Sequence, residues 1–555
     1  MNLIKDNNKN NNNISTYLGN KGYTILKKDL SIQQLNEIKV DLTAKPHVHG
    51  APLSQAVTFP VYRESIQKIY VPHYYGKEKF GLPEEYKISQ GINIDLEFNG
   101  SLRDYQQPVV KKYLDTVQNM EAGGGLLELP CAFGKTILSL NILSALKKKT
   151  LIIVHKEFLL NQWVERIGEF LPKARVGKIQ GQIIDIEDKD IVIGMLQSLS
   201  MKEYPATMFE TFGLTIIDEV HHISSEVFSN SLFKIVTKYM LGLSATMNRK
   251  DGTTKIFKMF LGPVIFKGEM DEKREVTVRA IEYQVEDEEF NKELTDYRGN
   301  PAYSTMITKL CDYNRRTEFI LRVLKDLLEE NPLQQIMILA QNKSILKYLH
   351  DAIEFRKLAT VGYYVGGMKE AALKLTETKK IVIATYSMAS EALDIKTLTT
   401  LIMSTPRSDI QQSVGRILRE KHSQPIVVDI IDSHDIFKNQ WKKRKAFYKK
   451  ENYQIIYNNS KNYTTDLTKW TIVNQVNVGK KDCNKKTLPL KNKKKGSSER
   501  SKSSTDRSIT NDSDSSSSNE GEEDGEEEKV LILETQDTKK KNDFLCGKCF
   551  LKIKK

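Results

Sequence analysis

Short apolar runs punctuate the middle of the chain at 126–129, 150–154, 191–193 and 214–217, and residues of helical periodicity fill the stretches between them. A run of three to five aliphatic residues marks a strand buried on both faces, whereas apolar residues three and four apart mark a helix with one apolar side. Alternating strands and helices build a parallel sheet covered on both faces. Helices are predicted at 104–118 and 137–146, with Gly123-Gly124-Gly125 read as a break between the first helix and the first strand. The alternation stops near Gly262 and resumes around Gln335, with strands predicted at 336–339, 381–384, 400–403 and 426–429 and an opening helix at 315–330. The fold class is therefore α/β, with two lobes at 101–265 and 300–435 joined by a polar linker at 266–299.

The flanks have a different texture. Residues 1–15 are Asn-rich and of low complexity, and are expected to be disordered. Residues 16–100 mix apolar and polar stretches with several Tyr and Pro, which predicts a small α+β accessory domain. A basic, aromatic extension at 436–477 carries a helix predicted at 440–453. Its Trp441, Lys442, Lys443, Arg444, Phe447 and Tyr448 interleave charge and ring, as strand-binding surfaces do, but docking of the rings on the second lobe is the preferred reading. From 478 to 555 the composition cannot supply a core, and a disordered charged tail is expected.

Charge then narrows the partner. The net charge of +13 favours a polyanion, although its distribution is uneven. Residues 480–502 hold ten Lys or Arg against two acids, while 512–528 hold nine acids and no base, so both blocks read as solvated tail. No run of about 18 apolar residues occurs, so no membrane partner is expected. Five cysteines are too few for a disulfide framework, which points to a reducing, intracellular compartment. Cys546 and Cys549 form a lone CxxC without a partner pair and are read as unmetallated tail.

The chemistry lies in the lobes. The loop Cys131-Ala132-Phe133-Gly134-Lys135-Thr136 joins the first strand to the next helix, the setting in which backbone N–H groups face a phosphate. Lys135 would neutralise the β and γ phosphates of ATP, and the Thr136 hydroxyl would ligate Mg²⁺. Asp218 and Glu219 follow the strand at 214–217, at the carboxyl end where parallel sheets bind ligands. Asp218 would hold Mg²⁺ and Glu219 would orient and deprotonate water; an acidic turn without function is the alternative. His221 and His222 would couple hydrolysis to strand binding, with Ser244-Ala245-Thr246 as relay, since no further Cys or His accompanies them as zinc ligands. Gln412, Arg416 and Arg419, spaced four and three apart, share one helix face of the second lobe. An arginine reaching the γ-phosphate from the opposite lobe makes hydrolysis conditional on lobe closure. Taken in order, these groups describe an ATPase that moves on nucleic acid.

The chain resembles the superfamily 2 DEAD/DEAH-like helicases. Within them it resembles the DEVHH-bearing branch that includes the TFIIH-type repair helicase, phage recombination helicases and the poxvirus transcript-release helicase. The resemblance covers 101–435 and implies two tandem RecA-like lobes. Leu102-Arg103-Asp104-Tyr105-Gln106 is similar to the family's adenine-reading element, which implies Arg103 and Gln106 as nucleotide contacts. Val154-His155-Lys156, Gln162-Trp163 and Gly194-Met195-Leu196-Gln197-Ser198-Leu199 match strand-contacting motifs of the first lobe. The segment from Ala384 to Ile395 looks like the motif linking nucleotide and strand, which implies Asp394 at the nucleotide and Glu391 in coupling. Lys156, Gln197, Ser198, Thr385 and Ser387 are the implied strand contacts. Leu129, Ala132 and Ala392 stand where the Walker or family pattern has Gly, and the two alanines bear on turnover more than on binding.

The expectation is an ATP- and Mg²⁺-dependent helicase or translocase acting as a monomeric motor on single-stranded or duplex DNA. The alternatives are an RNA helicase or transcript-release factor and, from another class, a nucleotide-binding scaffold with little turnover. Transcription or replication proteins are the expected protein partners. The Asn-rich start and the poxvirus-like affinity suggest a large DNA virus, with location in a cytoplasmic virus factory and packaging in the virion.

Overall fold

In the first lobe the strand Thr150–Val154 is aliphatic and buried at every position, as is Leu214–Ile217. Such segments can satisfy their backbone only inside a sheet, with strands on both edges. The structure, a computed structural model, describes residues 14–46, 58–130, 133–222, 225–247, 252–268, 276–391, 395–416 and 425–475. The Asn-rich start and the tail from 478 lie outside the described residues.

Eight strands form the first-lobe sheet in the order Ile183–Ile184, Val176–Gln180, Ile191–Met195, Thr150–Val154, Leu214–Ile217, Tyr239–Ser244, Gly123–Glu128 and Val264–Lys267. All pairings are parallel except that of the Ile183–Ile184 edge. The second lobe repeats the plan with Val361–Tyr364, Ile381–Thr385, Gln335–Ala340, Leu398–Met403, Ile426–Asp432, Thr277–Tyr283, Gln454–Asn459 and an antiparallel edge, Thr471–Asn474. Helices cover both lobes, giving the two RecA-like units. Ahead of them a five-stranded sheet shares its apolar core with the first lobe: Leu18, Tyr23 and Ile69 cluster with Leu126, Phe233 and Phe260. The Tyr74 hydroxyl donates to the Gly124 carbonyl across this contact at 2.9 Å. Among the described residues no helix is long and apolar enough to cross a membrane.

Several expectations are corrected. Gly123, Gly124 and Gly125 do not break the chain but open the strand Gly123–Glu128. Their role is close packing: a Cβ on Gly124 would lie 2.8 Å from the carbonyl oxygens of both Met240 and Leu261, and one on Gly125 would meet Ile265 at 2.2 Å. The helix after Arg103 starts at Gln107, with Pro108 in its first turn, where its missing N–H costs nothing.

The expected linker contains Thr277–Tyr283, an interior strand of the second sheet between Ile426–Asp432 and Gln454–Asn459. Arg279 and Glu282 make it look polar, yet Arg279 is buried against Glu330 at 2.6 Å and Glu282 accepts the Tyr457 hydroxyl. The extension likewise supplies two strands to the same sheet. Its helix runs Asp435–Lys450 and buries Phe437, Gln440, Arg444 and Tyr448, so docking on the second lobe is what its inward face does.

Two glycines separate crowding from conformational freedom. Gly124→Ala is expected to cost about 1–3 kcal/mol, because backbone carbonyls cannot swing aside. Gly168, in the helix Glu157–Phe170, has nothing within 4 Å of a Cβ. Gly168→Ala is expected to add about 0.5–1 kcal/mol through helix propensity. Urea unfolding of both variants checks the opposite signs.

Candidate active site

The carboxyl ends of three neighbouring strands meet at one edge of the first lobe. Gly123–Glu128 leads into the phosphate loop, Leu214–Ile217 into Asp218, and Tyr239–Ser244 lies between them in register with both, Ser244 beside Glu128 and Gly242 beside Ile217. Pairing therefore gathers segments about a hundred residues apart.

Gly134 takes the left-handed conformation with φ of 88°, and a Cβ there would come within 2.4 Å of Gln106 Nε2. Glycine is thus required both for the turn and for the space. The helix Lys135–Leu146 starts immediately after it, so its first N–H groups open onto the loop. Gln106 is buried, donating from Nε2 to the Phe133 carbonyl at 2.8 Å and accepting the Arg103 N–H on Oε1 at 2.9 Å. Its amide braces the loop from below. Beside it Tyr105 is 40% exposed, packs edge-on against Phe133 with centroids 4.9 Å apart, and accepts from Arg103 Nη1 at 2.8 Å. The flat apolar surface of Tyr105 next to the loop was not singled out from the sequence, although it lies inside the LRDYQ element.

Lys135 Nζ lies 2.7 Å from Glu219 Oε1. Glu219 itself has φ of 48°, a left-handed conformation costing roughly 1–2 kcal/mol in a non-glycine residue. Such strain is retained where the surrounding structure holds a side chain in place. The second carboxylate oxygen, Oε2, faces His221 Nδ1 at 3.3 Å, and the same Nδ1 is 2.7 Å from Ser244 Oγ. The Ser244 hydroxyl also contacts the Thr246 carbonyl. Lys135, Glu219, His221 and Ser244 thus form one chain of polar contacts joining the phosphate loop, the acidic turn and the Ser-Ala-Thr segment.

Asp218 is buried, and its Oδ2 accepts the Trp163 indole N–H at 3.0 Å. Trp163 is therefore not a strand contact, as its motif implied. It lies within the first-lobe core, because the apolar residues Leu159, Leu160, Trp163 and Ile167 form the inward face of Glu157–Phe170. Burial pushes the Asp218 carboxyl above the ordinary aspartate range, and the neighbouring Glu219 charge adds to this. Lys135, the Trp163 hydrogen bond and His155 pull the other way.

The implied strand contacts line the same edge. Lys156 precedes the helix Glu157–Phe170, Gln197 Nε2 donates to the His155 carbonyl at 3.0 Å, and Ser198 Oγ accepts the Gly181 N–H at 2.9 Å. In the second lobe Thr385 and Ser387 stand at the carboxyl end of Ile381–Thr385, their hydroxyls 3.4 Å apart. The lobes touch through Glu157–Phe170: Asn161 Nδ2 donates to Glu370 Oε2 at 2.8 Å, and Phe158 packs against the cores of both. Gln412 and Arg416 lie on the helix Gln411–Arg416 and Glu391 on Tyr386–Glu391, but their side chains, with that of His222, are outside the described residues. Cys131, Ala132, Ala392, Asp394 and Arg419 lie wholly outside them.

Residues 99–249 match the family model of the type III restriction enzyme, res subunit. The chain is similar to a protein of Acanthamoeba polyphaga mimivirus named as an ATP-dependent RNA helicase, with 36% identity over 456 residues, 80% of this chain and 87% of that one. An African swine fever virus protein (isolate Pig/Kenya/KEN-50/1950), also named as an ATP-dependent RNA helicase, is 29% identical over 388 residues, 65% of this chain and 75% of its own. The DNA 3'-5' translocase XPB2 of Sulfurisphaera tokodaii is 24% identical over 399 residues, 64% of this chain and 88% of its own.

The raised pKa of Asp218 has a thermodynamic consequence. Relative to the unfolded chain it favours folding below the ordinary aspartate range, and that contribution is lost as pH rises through the raised folded value. Asp218→Asn removes the buried charge but keeps an acceptor for only one of the two donors, the Trp163 indole and the Glu219 backbone N–H. It is expected to abolish ATPase activity, and its melting temperature relative to wild type is expected to be higher near neutral pH than in acid. A difference from wild type that does not change with pH would refute this account.

Proposed function

The chain belongs to the superfamily 2 ATP-dependent helicases, and we propose that it hydrolyses ATP at the edge of its first lobe to move along a DNA strand held across both lobes. The contact that carries this reading is the continuous one from Lys135 through Glu219 and His221 to Ser244. A triphosphate competes with Glu219 for the Lys135 ammonium. Once the phosphates hold that ammonium, the Glu219 carboxylate is released to take a proton from the attacking water. His221 and Ser244 then sense the change at Glu219 and pass it to the segment after Thr246.

Gly134, Lys135 and the N–H groups opening Lys135–Leu146 bind and orient the triphosphate, with the loop residues Cys131, Ala132 and Phe133 around it. Arg103 and Asp394 contact the nucleotide from its flanks, while Gln106, buried with its amide bonded to Phe133 and Arg103, supports the loop rather than reaching the base. The Thr136 hydroxyl and the Asp218 carboxylate are hard oxygen donors of the kind that suits Mg²⁺ when substrate phosphates complete its shell. When bound, that ion neutralises charge on the phosphates. Gln412, Arg416 and Arg419 act from the second lobe, and His222 and Glu391 belong to the coupling between sites. Lys156, Gln197, Ser198, Thr385 and Ser387 hold the strand backbone, so binding is independent of base sequence.

RNA is the second reading of the strand, favoured by the names of the two viral relatives. Those relatives also support a viral source; action in a cytoplasmic virus factory, packaging in the virion and engagement with transcription or replication proteins are part of the same proposal.

Steady-state ATPase assays with single-stranded DNA, duplex DNA and RNA decide the strand class, and strand affinity should fall steeply with salt as counterions are released. Glu219→Gln is expected to retain ATP and strand binding while losing hydrolysis, because an amide cannot accept the proton. Arg419→Ala should lower turnover by orders of magnitude with little change in ATP affinity, and Arg419→Lys should rescue poorly because it lacks the planar fork. Wild-type stimulated rates in Glu219→Gln would remove the assigned base.

A further inference from the structure

Between the strand Leu398–Met403 and the helix Gln411–Arg416, four consecutive backbone carbonyls are each held by a side chain from a different helix. Arg316 Nη1 donates to the Ser404 carbonyl at 2.7 Å, and the Tyr386 hydroxyl donates to Thr405 at 2.6 Å. The Tyr303 hydroxyl shares its hydrogen between the Pro406 carbonyl at 3.2 Å and Gln341 Oε1 at 3.1 Å, and Arg444 Nη1 donates to Arg407 at 2.9 Å. These donors stand on Asn314–Glu330, Tyr386–Glu391, Tyr303–Asp312 and Asp435–Lys450 respectively. The Thr405 hydroxyl also accepts the Gln341 N–H at 2.9 Å. An ordinary surface loop leaves such carbonyls to water.

Two of the donors are anchored on one strand. Asp429 and Asp432 of Ile426–Asp432 are three residues apart and so face opposite sides of the sheet. Asp432 grips Arg316 with two contacts of 2.6 and 2.8 Å, and Asp429 grips Arg444 with two of 2.8 and 2.9 Å. All four side chains are essentially without solvent exposure. Buried ion pairs of this kind roughly break even against apolar residues of similar volume, so stability alone does not account for them. What each supplies that a leucine could not is a further N–H aimed at a chosen carbonyl. The segment 404–407 is thereby held from both faces of the sheet, immediately ahead of the helix that carries Gln412 and Arg416.

We infer that Tyr303, Arg316, Tyr386 and Arg444 are positioning residues for ATP hydrolysis, which set the direction in which the second lobe presents its arginine helix. The inference rests on the reading of Arg416 and Arg419 as acting on the γ-phosphate. A finger works on charge that develops in the transition state, and a misplacement of about 1 Å can cost up to about a hundredfold in rate. Loosening the segment should therefore lower kcat and leave the KM for ATP nearly unchanged.

The hydroxyls can be removed with little change of shape. Tyr303→Phe and Tyr386→Phe are each expected to lower stimulated kcat roughly three- to tenfold, and the double variant to lower it further, with the KM for ATP within about twofold. Tyr313→Phe is the control: it removes a hydroxyl bonded to Asp287 at 2.7 Å in the same lobe rather than to the segment, and should keep wild-type kcat. Steady-state ATPase would be measured with oligo(dT) and oligo(U) at a temperature well below every variant's melting point, alongside Arg416→Ala and Arg419→Ala. A wild-type kcat in the double variant, or an equal loss in Tyr313→Phe, overturns the positioning role while inactive arginine variants keep the finger reading. Active arginine variants overturn the finger reading itself, and the positioning role with it.

Discussion

The strand Tyr239–Ser244 is hydrogen-bonded in parallel to Gly123–Glu128 on one side and to Leu214–Ile217 on the other. The position of the chemistry depends on that register. A slip of one residue would turn every side chain of the strand to the opposite face and take Ser244 away from His221. The register is enforced by burial, since all six residues of Tyr239–Ser244 are out of solvent. It is also enforced by the glycines opposite, because Gly124 and Gly125 leave room only for the neighbours that this pairing provides. The three glycines that give the strand so poor a β-propensity are thus what lets Val117, Met240, Leu261 and Ile265 close around it.

The two lobes treat their buried aspartates in opposite ways. Asp429 and Asp432 are each clamped by a guanidinium, so their charges are matched within the fold, and deleting either partner of such a pair costs about 3–5 kcal/mol. Asp218 receives the Trp163 indole N–H on one oxygen and the Glu219 backbone N–H on the other, with no guanidinium against it and only the more distant help of Lys135, which pairs with Glu219. Burial and the neighbouring Glu219 charge outweigh these contacts, so its pKa rises. Full compensation makes a rigid frame in the second lobe. Partial compensation in the first leaves a buried carboxylate at the expense of stability.

Among the described contacts between the lobes are the packing of Phe158 against both cores and the exposed hydrogen bond from Asn161 to Glu370. The same helix, Glu157–Phe170, carries Trp163 on its inner face against Asp218 and Asn161 on its outer face against the second lobe. One element thereby touches both Asp218 and the second lobe.

The sequence by itself determined the α/β class, most strands of both lobes, and the placement of Gly134, Lys135, Thr136, Asp218 and Glu219 at strand ends. These follow from local patterns: aliphatic runs, helical spacing, and a short loop between strand and helix. It misread Gly123–Gly125 and 277–283, because crowding by Leu261 or pairing of Arg279 with Glu330 is invisible to a local pattern. Only the tertiary structure decided that Trp163 supports Asp218 across 55 residues and that His221 meets Ser244 across 23. It alone decided that four helices hold the carbonyls of 404–407. The physical reason is the range of the interactions. Backbone conformation and burial are set largely within a few residues, whereas the partner of a buried polar group depends on which strands become neighbours, and that is a property of the whole sheet.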